Sequence, residues 1–194
     1  MPDITIKGEK VIHEGHTKLK EVSYEQKKND GTMQQLKREV LDHGNAVSAL
    51  LYNPKQRKVL LTRQFRLPAY LNGHASGYLL EACAGLMEND KDPMEAMKRE
   101  VEEETGYEIR EMEKVAQVYS SAGALTELIY LFIAPYNSKR KKAAGGGLQE
   151  EGEDIVNIEL DYDEVKKMLK EKEISDAKTL ILLQYMQLQG LLDQ

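Results

Sequence analysis

Four glutamates fall within five positions of REVEEETGY, residues 99–107. At about 100° per residue, Glu100, Glu103 and Glu104 share one face of a helix, and Glu102 points to the other side. Like charges at these spacings repel, and the repulsion grows as carboxylates are withdrawn from water. A hard divalent cation such as Mg²⁺ binds clustered carboxylate oxygens and keeps water that phosphate can replace. The cluster therefore predicts a metal site for a phosphate compound, although a solvated helix face would have the same composition.

The helix that carries these glutamates has clear start and stop signals. Asp92 can cap it, Pro93 fits the first helical position, and Glu95 stands where a capping box has an acid. Gly106 suits the left-handed position that ends a helix. The apolar stripe next to the acids, which we expect to dock on a sheet, is formed by Met94, Met97 and Val101.

Further acids stand outside this helix. Glu81 interrupts the apolar stretch YLLEACAG, residues 78–85, and a buried unpaired carboxylate is unfavourable. It points to the same site unless it reaches water or pairs with an arginine. The stretch EEGEDI adds acids in a loop, where one could act as a general base or an extra ligand, or could simply be solvated. These loop acids are Glu150, Glu151, Glu153 and Asp154.

The composition narrows the class of protein. The chain has 194 residues, a net charge of −6 and one cysteine, Cys83. The negative charge argues against a protein that binds nucleic acid. A single cysteine excludes an internal disulfide and a cysteine zinc site. The polar start is unlike a signal peptide and no apolar run approaches membrane-spanning length, so we expect a cytoplasmic protein.

The remaining pattern predicts a mixed α/β chain. An antiparallel β-element, with an Asp30-Gly31 hairpin turn, precedes a natural boundary near residues 38–45, and we divide the chain into domains at 1–42 and 43–194. Two later helices are predicted near 161–173, capped by Asp161, and 175–192, capped by Ser175. Loops are predicted at 66–77 and 137–154, the second containing three glycines. Strands are predicted at about 3–12, 18–27, 46–53, 58–65, 78–85, 112–121, 126–135 and 155–160.

The span from Gly85 to Tyr107 resembles the Nudix box, whose pattern is G-x5-E-x7-R-E-U-x-E-E-x-G-U with U a bulky apolar residue. The first glutamate of the pattern is replaced by Lys91, and Asp92 and Glu88 are candidate substitutes for its bracing role. The positions that match are Gly85, Arg99, Glu100, Val101, Glu103, Glu104, Gly106 and Tyr107.

The resemblance continues beyond the box. KRE at 37–39, RQFR at 63–66, TELIYLFIA at 126–134 and DAKT at 176–179 look like the GDP-mannose pyrophosphatase branch of the family, which is close to the ADP-ribose pyrophosphatases. Ala122 stands where the ADP-ribose enzymes typically have a proline, which favours GDP-mannose. The resemblance implies an α/β/α Nudix sandwich with a small N-terminal antiparallel β-element that is exchanged between the subunits of a homodimer.

The same resemblance implies residue roles. Metal ligands would be the Ala84 carbonyl, Glu100, Glu103, Glu104 and Glu153. The catalytic acids would be Glu153, Asp154 and Glu103. Substrate would be bound by Arg66, Lys178, Glu127 and, across the dimer, Lys37, Arg38 and Glu39. His16 stands near the place of a purine-stacking ring, although a plain surface histidine fits the sequence equally well.

Together these features predict an enzyme that hydrolyses the diphosphate of a nucleoside diphosphate sugar with Mg²⁺, or alternatively Mn²⁺, as cofactor. GDP-mannose would give GMP and mannose 1-phosphate, whereas ADP-ribose would give AMP and ribose 5-phosphate. A Nudix-like module that binds a nucleotide sugar without cleaving it is a further alternative, favoured only by Lys91. A Ca²⁺ loop over residues 89–100 is excluded because it lacks the central glycine and contains Pro93.

Overall fold

The computed structural model describes residues 3–87 and 91–193. Their contacts divide into two compact units. One contains residues 3–45 and 119–128, and the other contains the rest of the described chain. The functional domains at 1–42 and 43–194, with dimerisation as the role of the first, stay predictions.

The first unit is a three-stranded antiparallel sheet. The hairpin between its second and third strands turns at Asp30, whose carboxylate accepts a hydrogen bond from the Thr32 amide at 2.9 Å. Residues 119–128 belong to this unit because Leu41 exchanges backbone hydrogen bonds of 2.9 and 3.1 Å with Ala124 and Thr126. The strands are β1 (Ile4–Glu14), β2 (Lys18–Lys27) and β3 (Met33–Asp42).

The second unit is built on a larger mixed sheet. Its strands are β4 (Ala46–Asn53), β5 (Lys58–Phe65), β6 (Tyr78–Glu81), β7 (Cys83–Leu86), β8 (Glu113–Tyr119), β9 (Leu128–Pro135) and β10 (Val156–Asp161). The main strands follow the order β10-β5-β4-β9-β8, in which β4 is parallel to β9 and antiparallel to β5. The helices are α1 (Leu67–Leu71), α2 (Pro93–Thr105), α3 (Tyr162–Glu171) and α4 (Ala177–Leu188).

Both faces of the larger sheet are covered by helices. Along β4, Leu50 packs with side chains of α3 and α4, and its neighbours Ala49 and Leu51 pack with Met97 of α2 on the opposite face. Side chains that alternate along a strand in this way produce a helix–sheet–helix sandwich. The predicted α/β/α class is confirmed, and β4 and β5 are inner strands of the sheet.

The predicted strand at 78–85 is two strands. Strand β6 pairs with β5, where Glu81 faces Thr62, and β7 pairs with β4, where Cys83 faces Ala49. Ala82 lies between them, so the chain passes from one partner strand to the next at this residue. The predicted loop at 66–77 is also not wholly a loop, because it contains the short helix α1.

One predicted cap is wrong. Helix α4 begins after Asp176, whose carboxylate accepts a hydrogen bond from the Thr179 amide at 2.9 Å, and not after Ser175. Asp161 does precede α3, but its side chain makes no capping hydrogen bond. None of the helices in the described ranges combines the length and apolar character that a bilayer crossing requires.

Candidate active site

Helix α2 holds its glutamates in the predicted orientation. Asp92 caps its start through a 2.9 Å hydrogen bond from the Met94 amide. Gly106 ends it with a φ of +74° and donates its amide to the Glu102 carbonyl. Met97 and Val101 are fully buried against the sheet. Glu102 is exposed, whereas Glu100 and Glu104 lie on the border of the buried face with accessibilities of 9% and 2%.

Glu100 occupies space that a glycine provides. A Cβ built on Gly85 would lie 2.1–2.4 Å from the carboxylate atoms of Glu100, closer than non-bonded atoms approach. Arg99 pairs with Glu100 at 2.9 Å and, one helical turn further, with Glu103 at 2.8 Å. The glycine and the arginine of the box therefore both act on the Glu100 carboxylate.

Glu104 is the most buried acid of the group. Its Oε2 accepts a hydrogen bond from the Ala84 amide at 3.2 Å, and the Cys83 thiol donates another to the same carboxylate. These contacts join the last turn of α2 to strand β7. The sequence predicts Cys83 to be a small core residue, and it is buried.

Burial and neighbouring negative charge make both acids hard to ionise. Burial is the main cause that raises the pKa of Glu100 to about 7, and Glu103 and Glu153 add to it. Burial likewise raises the pKa of Glu104 to about 8, with Glu153 and Glu100 contributing. The charge of Glu153, which comes from a separate loop, contributes to both shifts.

This donor set fits a hard divalent cation. Oxygen ligands from several carboxylates are what Mg²⁺ prefers, and a cation would remove the charge repulsion that raises the two pKa values. Within residues 3–87 and 91–193, no three His, Cys, Asp or Glu side chains already form the geometry of a metal site. The ligand assignment to Ala84, Glu100, Glu103, Glu104 and Glu153 stays a prediction.

Of the two loop acids, Glu153 is the one held by a backbone hydrogen bond within its loop. Its Oε2 accepts a hydrogen bond from the Leu148 amide at 2.9 Å. Asp154 is exposed, whereas Glu153 is half-buried. The geometry favours Glu153 over Asp154 as a catalytic acid in the proposed site.

Glu81 lies in a buried ion network. Arg66 donates from Nε and Nη2 to its two oxygens at 2.7 and 3.0 Å, and the Lys178 ammonium binds the same carboxylate. Burial alone would raise the pKa of Glu81, but the two cations hold it below its usual value. Lys178 also contacts Asp176 at 2.8 Å. Glu81 therefore pairs with an arginine, which was one of the alternatives open from the sequence. Its carboxylate also holds in place Arg66 and Lys178, the two residues predicted to bind substrate.

The other predicted substrate residues lie in the first unit. Lys37, Arg38 and Glu39 are exposed on β3, and Lys37 pairs with Glu21 of β2 at 3.0 Å. His16 is exposed in the turn between β1 and β2. Glu127 faces His43 at 3.6 Å. Their proposed roles in binding substrate stay predictions.

The position that departs from the box pattern is Lys91. Lys91 is exposed, and Asp92 uses its carboxylate as the helix cap. The other candidate substitute, Glu88, lies outside the described residues.

Two contributors to the site were missed in the sequence. Asn157 donates from its side-chain amide to the Glu104 carbonyl at 2.9 Å, across 53 positions of sequence that offer no local signal. Asp176 holds Lys178, and here the helix-cap pattern Asp-x-x-Thr at 176–179 was available as a signal.

The chain is similar to known proteins both in sequence and in fold. The family profile described as the NUDIX domain matches residues 42–183. Proteins named GDP-mannose pyrophosphatase from Escherichia coli O1:K1 and Shigella flexneri serotype 5b are 42% identical over 190 residues, covering 98% of this chain and 98% of theirs. A solved structure described as an ADP compounds hydrolase has a TM-score of 0.71 at 15% identity and covers 98% of this chain and 96% of its own. That likeness shows the fold.

Proposed function

The chain belongs to the Nudix family, and from this premise we propose that it is a Mg²⁺-dependent hydrolase that cleaves the diphosphate of GDP-mannose into GMP and mannose 1-phosphate. One observation carries the proposal: Glu100 and Glu104 are buried one turn apart on α2, and the Glu100 carboxylate fills the space left by Gly85, within the segment that matches the box. The substrate is inferred from the relatives named GDP-mannose pyrophosphatase, which align along nearly the whole chain.

The residues proposed to hold the cation are Glu100, Glu103, Glu104, Glu153 and the Ala84 carbonyl, with Mg²⁺ preferred and Mn²⁺ as the alternative. Bound there, the cation would neutralise the diphosphate and make a bound water more acidic. The chain needs such a partner, because its own acids would otherwise repel an anionic substrate.

In the proposed reaction, Glu153 accepts a proton from water as the water oxygen attacks one phosphorus. The bond between that phosphorus and the bridging oxygen breaks, and the bridging oxygen leaves with the other phosphate. Asp154 is the weaker candidate for the base, because its side chain is exposed, whereas Glu153 is half-buried and accepts a hydrogen bond from the Leu148 amide.

Arg66 and Lys178 are proposed to bind the phosphates or the sugar. The pairing with Glu81 engages Nε and Nη2 of Arg66, so Nη1 is the guanidinium nitrogen that remains to bind a phosphate oxygen. The carboxylate thereby orients the guanidinium and limits its movement, which lowers the entropy lost on binding substrate.

The protein is proposed to act as a homodimer through its N-terminal element. Every residue of β1 is exposed, including the apolar Ile4, Ile6, Val11 and Ile12. An exposed apolar strand supports pairing with a second copy. Lys37, Arg38, Glu39 and His16 would then reach the substrate bound by the other subunit, and Glu127 would contact the sugar or base.

The test of function is a substrate panel of nucleoside diphosphate sugars with Mg²⁺ or Mn²⁺, followed by phosphorus NMR. We expect GDP-mannose to give GMP and mannose 1-phosphate with the highest kcat/KM, above ADP-ribose. Tight binding measured by calorimetry without any product would show a binding module instead.

The test of the site compares two substitutions on the same helix. Glu104→Gln should lower kcat with Mg²⁺ by about 10²-fold or more, because a ligand charge is lost from the proposed cation site. Glu102→Gln makes the same chemical change on the exposed face and should leave turnover within about twofold. If Glu104→Gln kept wild-type turnover, the metal assignment would be wrong.

A further inference from the structure

Three consecutive glycines lie against the C-terminal end of helix α2. The Gly146 amide donates to the Glu104 carbonyl at 2.8 Å, and the Gly147 amide donates to the Glu103 carbonyl at 3.3 Å. The last carbonyls of an α-helix have no partner within the helix. The glycine segment supplies these partners, and it does so at the two residues whose side chains belong to the proposed cation site.

The same segment holds Glu153. The Leu148 amide donates to Glu153 Oε2 at 2.9 Å, and the Glu153 amide donates back to the Leu148 carbonyl at 3.2 Å. The Ile155 amide donates to the Gly146 carbonyl at 3.1 Å. The loop thus closes on itself next to the helix, and the carboxylate of Glu153 is folded back onto the glycine segment.

No side chain fits at two of the three glycines. A Cβ on Gly145 would lie 2.5 Å from the Glu104 carbonyl oxygen, and a Cβ on Gly147 would lie 2.3 Å from Oε2 of Glu153. The first contact involves helix backbone, whereas the second involves the carboxylate itself. The position of the Glu153 carboxylate therefore depends on residue 147 having no side chain.

We propose that Gly147 is a positioning residue, whose lack of a side chain leaves the space in which the Glu153 carboxylate is held against the Leu148 amide, next to the C-terminal end of helix α2. The proposal rests on the proposed function where it assigns Glu153 the role of base. A side chain at position 147 would push that carboxylate away from the Leu148 amide.

The plainer explanation is that Gly147 serves only its backbone conformation, with a φ of +79°. Gly152 provides the matched control in the same loop. Its φ is +74°, and a Cβ there would meet nothing within 4 Å. Alanine at either position incurs a similar conformational cost, but only alanine at 147 displaces Glu153.

The first experiment measures amide hydrogen exchange by NMR in Gly147→Ala and Gly152→Ala. We expect the protection of the Leu148 amide to fall about tenfold or more in Gly147→Ala, because its acceptor has moved, and to change by less than about threefold in Gly152→Ala. Equal protection in the two variants would overturn the proposal. This readout needs no substrate, so it stands if the assigned reaction is wrong.

The second experiment is a double-mutant cycle with Glu153→Gln. Gly147→Ala should lower kcat about 10–100-fold with KM within about threefold, since misplacing a catalytic group acts on the chemical step. In the Glu153→Gln background the same alanine should cause no further loss, because the two positions act as one unit. Additive losses would show that Gly147 acts elsewhere. If Glu153→Gln kept wild-type kcat, the base assignment would fail and the exchange data alone would decide the positioning role.

A second variant covers the case in which Gly147→Ala does not fold. Leu148→Pro removes the amide that binds Glu153, and the φ of −98° at Leu148 has to shift by about 20° or more to reach the range that proline adopts. It should lower kcat with little change in KM, as Gly147→Ala does. A folded Leu148→Pro enzyme with unchanged kcat would count against the proposal.

Discussion

At the scale of single residues, the site depends on acids that the fold makes reluctant to ionise. Glu104 is 2% exposed and Glu100 is 9% exposed, so each loses hydration when it carries a charge. A soluble protein gains nothing in stability from such acids alone. Their placement is accounted for if a cation or a proton is normally present.

This placement predicts how stability changes with pH in the absence of metal. The pKa values of about 7 for Glu100 and about 8 for Glu104 lie above the ordinary value of 4.5. Above pH 4.5 and up to these raised pKa values, the folded protein therefore binds more protons than the unfolded chain. The free energy of unfolding must then fall as pH rises through 7 and 8. In thermal melts with EDTA, we expect Tm to be several degrees lower at pH 9 than at pH 6.

Added Mg²⁺ should reverse this trend, because it binds the ionised carboxylates and only the folded chain gathers them. The rise in Tm on adding Mg²⁺ should therefore be larger at pH 9 than at pH 6. Glu104→Gln, which resembles the protonated acid, should reduce the fall in Tm seen without metal. A metal-free Tm that increased between pH 6 and pH 9 would contradict the raised pKa values.

Residue-scale inference from the sequence was strongest where one helix set the geometry. The common face of Glu100, Glu103 and Glu104 follows from helical periodicity, and the structure confirms it. The partners of Glu81 could not be found in this way. Arg66 is 15 positions away and Lys178 is 97 positions away, so their meeting depends on how the strands and α4 pack.

At the scale of elements, two aspartates that look alike as helix caps in the sequence differ in the structure. Asp92 and Asp161 both precede a helix, but only Asp92 accepts a capping hydrogen bond from the backbone. We expect Asp92→Ala to lower the free energy of unfolding by about 1 kcal/mol. Asp161→Ala should change it by less than about 0.5 kcal/mol.

Urea denaturation of both variants measures the difference, with an unchanged m-value as the check that the unfolding transition is comparable. Equal losses for the two aspartates would show that the capping bond at Asp92 adds nothing to α2.

Element positions were predictable where local chemistry determines them, and less so where pairing does. The limits of α2 follow from Pro93 and Gly106, and the structure confirms both. The break at Ala82 was missed because YLLEACAG has no turn residue before its last position; the chain changes partner strand there. Likewise, Ser175 and Asp176 are both good caps, and only the contacts of Asp176 with Thr179 and Lys178 distinguish them.

At the scale of the whole molecule, the proposed dimer makes a prediction about shared sites. If Lys37 and Arg38 act on the substrate of the other subunit, a variant lacking both and a Glu104→Gln variant carry their defects in different halves of one site. Each alone should have little activity. In a mixed dimer, one of the two sites receives both intact halves.

Mixing the two variants under conditions that allow subunit exchange should restore up to about a quarter of wild-type activity, because half of the dimers are then mixed and each has one complete site. Light scattering should show a mass of twice the 22.1 kDa chain. Dimers whose mixture stayed inactive would show that each subunit supplies its own Lys37 and Arg38, and a monomer would refute the shared arrangement altogether.

Gly85 has a consequence for how such a protein can change over time. The missing side chain at this position and the carboxylate of Glu100 fill a single volume, because a methyl carbon added at residue 85 would lie 2.1 Å from the acid. A larger residue at position 85 alone should therefore be selected against during evolution. It could be accepted together with a shorter acid at position 100. In a set of relatives, positions 85 and 100 should vary as a pair or not at all.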